Sequence, residues 1–285
     1  MKLLNVIGCG RVGQTLARLL QEHGVCPVQD LYVRSAEKSH AAVEFIGAGR
    51  AVSDLRLMRP ADIWMLSVPD GQVALAAESL AQTLDLRSSP SAPAVAFHCS
   101  GFLPANALVP LRRHGWRLAS AHPSLNFASP QTGIRQFPGT PCGLEGDRDA
   151  AETVGELLTA VGGQCFLVDT AAKPLYHAAA VFCSNFTVVL QGIAREAWLK
   201  AGVPEQLLPQ LTAALLGNTV ENVLALGPAA AITGPAARGD REVVQRQGEV
   251  VAQWHPRAGE IYREMSELAS KLARTGIITE SGIAE

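Results

Sequence analysis

Short apolar runs alternate with amphipathic segments through roughly the first 170 residues. Apolar positions fill 3–8, 61–68 and 94–99 almost continuously, which is typical of strands buried on both faces of a parallel sheet. Between such runs, apolar side chains recur at helical spacing, as over 11–23, 73–84 and 104–113, and the Ser/Pro-rich stretch 88–93 is predicted to be a loop. This alternation predicts an α/β fold with a doubly wound parallel sheet. The predicted strands are 3–8, 30–34, 51–52, 61–68, 94–99, 117–121 and 164–168.

After about residue 169 the strand pattern stops and long helical patterns follow. They cover 173–201, 204–226, 240–254 and 257–275. The chain is therefore predicted to have two domains, an α/β domain over 1–168 and an all-helical domain over 169–285.

The first of these long helical patterns could also be read as a membrane span. It holds 21 consecutive residues without Lys, Arg, Asp or Glu, which is long enough to cross a bilayer. However, His177, Ser184 and Asn185 lie within it, and such side chains are costly in lipid. A buried helix is the preferred interpretation, and no membrane is expected.

Composition narrows the functional classes. Of the 285 residues, 48% are hydrophobic, so a folded core is expected rather than disorder. The formal charge of −2 offers no basic excess for a phosphate backbone, so nucleic acid is not an expected partner. The six cysteines form no CxxC motif, so no metal site is expected, and the N-terminus does not resemble a signal peptide. A cytoplasmic location is predicted.

A glycine motif connects the first predicted strand to the first helix, in the order Gly8, Cys9, Gly10, Arg11, Val12, Gly13. In this context Gly8 permits a tight turn, Gly10 lets a pyrophosphate approach the backbone, and Gly13 allows close packing of helix and strand. The free amides of the helix N-terminus then attract phosphate. We expect all six residues to contact a dinucleotide, which makes 1–168 a Rossmann domain.

The end of the second predicted strand indicates which dinucleotide binds. An NAD site usually carries an acidic residue there, whereas this chain has Arg34 and Ser35. A guanidinium and a hydroxyl suit a 2′-phosphate. Asp30 precedes the apolar centre of the strand and is expected to lie too early to reach the ribose. NADP is therefore predicted in preference to NAD.

Two further strand ends should border the nicotinamide, because ligands bind beyond the carboxyl ends of parallel strands. The predicted cofactor contacts there are Ser67, Val68, Pro69, Ser100 and Gly101. Asp70 follows the first of these ends, and it could equally cap the next helix.

Polar residues on the long helix and at one strand end are candidates for chemistry. Lys173, His177 and Ser184 share one helical face, with Asn185 at its margin. Lys173 and His177 are predicted to be catalytic, and Ser184 and Asn185 to bind substrate. A lysine at a solvated helix start is the alternative for Lys173. His122 ends a strand and is predicted to bind substrate, although a structural role in a turn is as plausible.

A loop over 233–240 carries the last candidate. Asp240 can cap the helix that follows, and Gly239 allows a left-handed backbone, so Arg238 should be held rigidly. A rigid guanidinium suits a substrate carboxylate, in this subunit or across a dimer.

These motifs resemble a family. The segments GCGRVG, KPLYHAAAVFCSNF and TGPAARGD resemble those of poorly characterised bacterial Rossmann-like NADP oxidoreductases, whose C-terminal helical domain is similar to that of 6-phosphogluconate dehydrogenase. More distant resemblance in architecture extends to ketopantoate reductase, pyrroline-5-carboxylate reductase and the β-hydroxyacid dehydrogenases. The resemblance implies a homodimer formed through the helical domain. It also implies a substrate-contacting lysine followed four residues later by Asn, where this chain has Lys173 and His177.

The predicted function is NADP-dependent reduction of a small oxo acid, ketopantoate-like, or of an imine acid, by hydride transfer. Lys173 or His177 would donate the proton. Two alternatives stay open: a dinucleotide-sensing protein without turnover, and a dehydrogenase of a larger cyclic acid, prephenate-like.

Overall fold

The predicted alternation of strands and helices is present in the computed structural model, which describes residues 1–86 and 92–279. Over this part of the chain the strands are β1 Leu4–Ile7, β2 Val28–Tyr32, β3 Arg50–Val52, β4 Ile63–Leu66, β5 Val95–His98, β6 Arg117–Pro123, β7 Pro141–Gly146 and β8 Gln164–Leu167. The helices up to Cys183 are α1 Arg11–Glu22, α2 Ala36–Ile46, α3 Asp70–Asp85, α4 Pro130–Gln136, α5 Arg148–Ala160 and α6 Lys173–Cys183.

The strands form one sheet in the order β3-β2-β1-β4-β5-β6-β7-β8. Neighbouring strands from β3 to β6 are parallel, and this part has the order of the Rossmann fold. The predicted fold class is thus confirmed. The order brings the carboxyl ends of β1, β4, β5 and β6 to one edge of the sheet, where ligands of such folds bind.

One strand was not predicted, and it matters for the site. β7 is antiparallel to β6, so that Glu145 pairs with Ser120 and Gly143 pairs with His122. Its sequence, PCGLEG, contains proline and two glycines, which are depleted in strands, so propensity gives little signal for it.

A second difference concerns the helix predicted over 104–113. The segment Ala105–His114 forms 3-10 turns rather than an α-helix, and Pro110 lies inside it. Proline lacks the amide hydrogen that an α-helix would use at that position. The loop expected over 88–93 lies largely outside the described residues.

The core occupies both faces of the sheet because alternate strand residues point to opposite sides. Leu4 and Val6 of β1 belong to one buried cluster, which includes residues of α1 and α5. Ile7 belongs to the other cluster, which includes residues of α3 and the 3-10 segment. Strands buried on both faces explain why the apolar runs in the sequence are nearly continuous.

A buried carboxylate lies in the middle of β2. Asp30 is fully buried, and its oxygens form ion pairs with Arg50 at 3.0 Å and with Arg59 at 2.8 Å. Burial alone would raise the pKa of Asp30, but the hydrogen bonds from Arg59 and Arg50 outweigh it and lower the pKa. Asp30 is therefore occupied in a structural role, as its early position in the strand suggests.

The chain divides into two compact units, Met1–Asn185 and a second beginning at Phe186. This division comes later than the predicted boundary at 168/169, because α6 packs in the first unit. Helices of the second unit are α7 Asn185–Lys200 (beginning at the boundary residue), α8 Leu208–Leu226, α9 Pro228–Ala231, α10 Pro235–Arg238, α11 Arg241–Trp254 and α12 Pro256–Thr275.

The long helix predicted over 173–201 is interrupted. α6 ends at Cys183, Ser184 has a backbone distorted from helical geometry (φ −115°, ψ −65°), and α7 begins at Asn185. The run Lys173–Lys200 is long and apolar enough for a membrane span by length and composition alone, which is weak evidence. The prediction of a buried helix is wrong for the chain by itself: 0% of the most apolar part of this run is buried, and Lys173 is the one buried residue of α6.

The Asp30 network makes a prediction for stability. Asp30→Asn removes the charge from both ion pairs, and we expect the free energy of unfolding at pH 7 to fall by about 2 kcal/mol. The ionised carboxylate stabilises the fold above its unfolded pKa of about 3.9, and this contribution is lost as the pH falls towards the lowered folded pKa. Urea denaturation should therefore show a difference between native chain and variant that shrinks below about pH 4.

The matched control is Asp149→Asn, which breaks an exposed ion pair with Arg117. Exposed pairs contribute little, so this variant should unfold like the native chain. Equal destabilisation by the two substitutions would contradict a special role for Asp30.

Candidate functional site

The turn between β1 and α1 is built as a dinucleotide-binding turn. Gly8 has φ +77°, and a Cβ there would lie 2.6 Å from the carbonyl oxygen of Ser67 and against Val68. A Cβ on Gly13 would lie 2.8 Å from Ser67 Oγ. Both glycines are therefore required by close approach to the end of β4. The predicted residues Ser67 and Val68 lie beside the turn for this reason.

The N-terminus of α1 offers free amides to an anion. Gly10 is the N-cap residue, no side chain caps the helix, and its first turn has no acidic residue. A Cβ on Gly10 would meet nothing within 4 Å, so the backbone is open to a ligand. Of the residues in this turn, Arg11 is exposed and Val12 is half-buried. Burial raises the pKa of the Cys9 thiol to about 12, so this thiol is unreactive. This end of α1 fits a pyrophosphate.

The residues after β2 carry positive charge and a hydroxyl. Arg34 is exposed, and Ser35 Oγ accepts a hydrogen bond from Lys38 N at 3.4 Å as the N-cap of α2. The serine hydroxyl keeps its own hydrogen for a further acceptor. With Asp30 buried beneath Arg50 and Arg59, no carboxylate of β2 is free for a ribose.

The loop after β5 is fixed by an internal network. Ser100 Oγ donates to Asp70 at 2.8 Å and accepts from the amides of Phe102 and Leu103. Asp70 thus holds this loop and does not cap α3, whose N-cap is the exposed Pro69. His98 accepts from Ser100 N through Nδ1, so Nε2 carries the hydrogen donated to Pro104 O at 3.0 Å. Burial lowers the pKa of His98 to about 4, which keeps it neutral.

Lys173, a predicted catalytic residue, is buried with only 2% of its surface exposed. Its amine donates to Ser100 O at 3.3 Å and to Ser120 Oγ, and it lies 3.8 Å from Glu145 Oε2. Burial lowers the pKa of Lys173, while the charges of Glu145 and Asp70 raise it in part. The amine therefore has its hydrogen-bond partners within the protein.

Glu145 is a residue that the sequence did not suggest. Its carboxylate accepts from Ala105 N at 2.7 Å, from Thr170 Oγ1 at 2.9 Å and from Ser120 Oγ at 3.3 Å. Because β7 was not predicted, nothing indicated that this carboxylate would face Lys173. Together they form a buried ion pair with satisfied hydrogen bonds.

Two imidazoles pack against Gly101. His122 at the end of β6 and His177 on α6 have ring centroids 5.6 Å apart. A Cβ on Gly101 would lie 2.6 Å from the His177 ring and 2.9 Å from the His122 ring, so glycine makes this approach possible. Burial, with His177 and Lys173 nearby, lowers the pKa of His122 to about 4 despite the charge of Asp70. His122 is thus a neutral donor and acceptor near pH 7.

Tyr176 and Ser124 adjoin this pair and were also missed. Tyr176 OH lies 3.0 Å from His122 Nδ1 and 2.8 Å from Ser124 Oγ. The available signals were the positions of Tyr176 next to His177 and of Ser124 two residues after His122. Neither position has a spacing that implies chemistry by itself.

The other predicted substrate residues are Ser184, Asn185 and Arg238. Ser184 Oγ is 2.8 Å from Ala180 O and 3.0 Å from the side chain of Asn185, where α6 ends. Arg238 belongs to the second unit and forms an ion pair with Asp240 at 3.1 Å. Asp240 does not cap α11 with its side chain. Within 1–86 and 92–279, no group of three His, Cys, Asp or Glu side chains could hold a metal.

Comparison with known proteins gives one family match. The model of a domain of unknown function, DUF2520, matches residues 140–269, less than half of the chain. No curated protein matches the sequence.

Solved structures match over nearly the whole length. Protein TM1727 from Thermotoga maritima has a TM-score of 0.75 at 24% identity, covering 96% of this chain and 99% of that one. BF3122 from Bacteroides fragilis, assigned as an NADP oxidoreductase, has a TM-score of 0.75 at 23% identity, with 95% and 98% covered. An imine reductase from Myxococcus stipitatus, in complex with NADP+, has 0.64 at 17%, with 96% and 95% covered. At these identities the likeness establishes the fold: a Rossmann domain followed by a helical one.

Proposed function

We propose that the chain is an NADPH-dependent reductase of a small oxo acid or cyclic imine acid. The observation that carries the proposal is the pair of imidazoles packed on Gly101, at the sheet edge that also holds the dinucleotide turn. A reductase needs a dinucleotide and a proton donor at one place, and this edge supplies residues for both.

The cofactor is inferred from the fit of the chain's own residues. At positions 8 and 13 any side chain larger than that of glycine would clash with the residues after β4. The N-terminus of α1 has no side-chain cap and is open to a phosphate. Arg34 and Ser35 suit a 2′-phosphate, and the structurally similar oxidoreductases from Bacteroides and Myxococcus are associated with NADP. NADPH supplies a hydride when bound.

The imidazole pair supplies the proton in this proposal. Hydride addition to C=O leaves negative charge on the oxygen, and addition to C=N leaves a basic lone pair on the nitrogen. A neighbouring N–H group can donate a proton to either atom. His122 and His177 are the half-buried donors beside Gly101, whereas Lys173 is enclosed by Ser100, Ser120 and Glu145. We therefore assign Lys173 to positioning of the loop after β5 rather than to direct proton donation.

The remaining predicted contacts stay part of the proposal. Arg238 is suited to a substrate carboxylate, with Ser184 and Asn185 as further polar contacts. We expect the protein to act in the cytoplasm, where NADPH and free thiols are maintained.

A dehydrogenase of a cyclic acid is the second candidate, since a neutral imidazole at the end of β6 can also accept a proton. That reaction would run in the opposite direction, from an alcohol and NADP+. A dinucleotide sensor would bind NADPH and transfer no hydride.

A second copy of this chain is the proposed partner. The helices of the second unit leave large apolar side chains exposed, and α8 has only Leu208 buried, while Leu224 is 82% exposed. A helical unit of this size normally encloses a core of its own. A homodimer through these helices would cover the apolar side chains.

The function is tested by NADPH oxidation with pyrroline-5-carboxylate, ketopantoate and other 2-oxo acids, and by NADP+ reduction with prephenate. We expect one of the oxo or imine acids to be reduced. His122→Asn should lower kcat by about 10²- to 10⁴-fold, the usual contribution of a positioned acid, with NADPH affinity unchanged. NADPH binding without turnover of any compound would support the sensor, and turnover of prephenate alone the dehydrogenase.

The companion variant is Lys173→Gln with Glu145→Gln, which removes both charges of the buried pair together. Because no unpaired charge is left, this variant should fold and retain measurable reduction. A folded double variant as inactive as His122→Asn would assign the proton donor to Lys173 instead.

Cofactor preference gives a separate prediction. Arg34→Ala should weaken NADPH binding by about 10- to 100-fold, the value of a hydrogen bond to a charged group, and leave NADH binding unchanged. Nucleotide fluorescence titration measures both affinities. Arg148→Ala, at an exposed ion pair with Glu152, is the control and should change neither. A parallel loss for NADPH and NADH would show that Arg34 does not select the phosphate.

The dimer is tested by sedimentation. The native chain of 30.1 kDa should sediment at about twice that mass, and Leu224→Glu should shift it towards the monomer, because a charge would be buried at the interface. Leu75→Glu on α3, an exposed leucine of the first unit, should leave the mass unchanged. A monomeric native chain would contradict the proposed partner.

A further inference from the structure

A continuous chain of hydrogen-bonding groups leads from the protein surface to His122. Ser124 is exposed, and its hydroxyl lies 2.8 Å from Tyr176 OH. Tyr176 OH lies 3.0 Å from His122 Nδ1. Each contact has hydrogen-bond length, so the three groups form an unbroken path between solvent and the imidazole.

The position of Tyr176 in this path is fixed by its surroundings. Its ring meets the His122 ring edge-on at 5.6 Å and the Phe166 ring at 6.0 Å. Gly143 pairs with His122 across β6 and β7, and a Cβ there would lie 2.9 Å from Tyr176 OH. The absence of a side chain at 143 thus leaves the space that the hydroxyl occupies.

The three groups can hold their hydrogens in two concerted arrangements. In the first, Ser124 donates to Tyr176 and Tyr176 donates to His122 Nδ1, so Nε2 carries the ring hydrogen. In the second, every donor becomes an acceptor: Nδ1 donates to Tyr176, and Tyr176 donates to Ser124. The two arrangements differ by the transfer of one proton along the whole path.

We propose that Ser124, Tyr176 and His122 form a proton relay that replaces from solvent the proton that His122 gives to the substrate in each reduction. This inference rests on the proposed function and identifies His122 as the donor of the imidazole pair. Tyr176 and Ser124 act through His122 and touch no reacting atom.

The relay balances over one turnover. The hydride adds to the substrate carbon, and the His122 Nε2–H bond breaks as its proton moves to the substrate oxygen or nitrogen. Nδ1 takes the Tyr176 proton, Tyr176 takes the Ser124 proton, and Ser124 takes a proton from water. After the product leaves, water protonates Nε2 while Nδ1 returns its proton to Tyr176, Tyr176 to Ser124 and Ser124 to water, which restores the first arrangement before the next turnover.

The charges around His122 are compatible with such a neutral relay. Lys173 and His177 face it from α6, and Asp70 from the start of α3. A cation at Lys173 disfavours a second one on His122, so the imidazole passes a proton without staying charged.

The decisive variant is Tyr176→Phe, which removes one oxygen and keeps the ring packed between His122 and Phe166. We expect the ¹⁵N resonances of His122 in the native chain to show Nδ1 as a hydrogen-bonded acceptor and Nε2 as protonated. In Tyr176→Phe the Nδ1 resonance should shift as this hydrogen bond is lost. Tyr262→Phe removes a hydroxyl bonded to Gln247 in the second unit and should leave His122 unchanged.

Turnover gives the second measurement, with NADPH and the best acid of the substrate panel. Tyr176→Phe should lower kcat by about 10- to 100-fold and increase the solvent deuterium isotope effect, with KM within about twofold. Ser124→Ala should lower kcat by less than about fivefold, since water can replace an exposed hydroxyl. Tyr262→Phe should retain native kinetics.

The possible outcomes distinguish failure of the proposed relay from failure of the proposed reductase function. Identical His122 resonances in the native chain and in Tyr176→Phe would overturn the relay. An unchanged kcat of Tyr176→Phe, measured beside an active native chain, would also overturn the relay, and the reductase function would still be supported. A native chain that transfers no hydride to any compound would overturn both. The expected His122 shift would then describe a structural hydrogen bond only.

Discussion

The buried ion pair between Lys173 and Glu145 is the interaction on which the arrangement of the site depends. Its amine reaches the Ser100 carbonyl and the Ser120 hydroxyl, so one charge ties α6 to the loop after β5 and to β6. Its carboxylate binds Ala105 N and Thr170, which adds the segments on either side. Removing either partner alone would leave a buried charge, a strongly destabilising change. The arrangement of the candidate site therefore depends on this ion pair, which holds α6, β6, β7 and the loop after β5 together.

Glycines then set the distances between elements that the ion pair brings together. Gly8 and Gly13 bring the dinucleotide turn against Ser67, Gly101 admits two imidazole rings, and Gly143 leaves room for a tyrosine hydroxyl. Each would create a contact shorter than 3.0 Å if it carried a Cβ. Three of these four have ordinary backbone dihedrals, so their need for glycine comes from close approach rather than from a left-handed turn.

The sequence predicted the fold and the dinucleotide turn because both leave local signals. Buried parallel strands are apolar along their whole length, and GCGRVG directly follows one of them. The site was predicted in part: Lys173, His177 and His122 were named, but Glu145 and Tyr176 were not. Glu145 lies on a strand rich in glycine and proline, and its partners are up to 40 residues away in the chain. Such a pairing depends on register in the sheet, which short-range periodicity does not determine.

The same long-range pairing decides where charge resides in the site. A lysine within a helix start suggests a cationic proton donor, yet the carboxylate of Glu145 gives this amine a partner inside the protein. Lys173 then acts on its neighbours through its field, and the pKa of His122 is lowered by burial and by the nearby His177 and Lys173. A neutral imidazole is both donor and acceptor, whereas an imidazolium only donates. Burial, with the nearby His177 and Lys173, thus keeps His122 in the neutral form, so the charge of a buried lysine adds to the effect of burial on the imidazole at the end of β6.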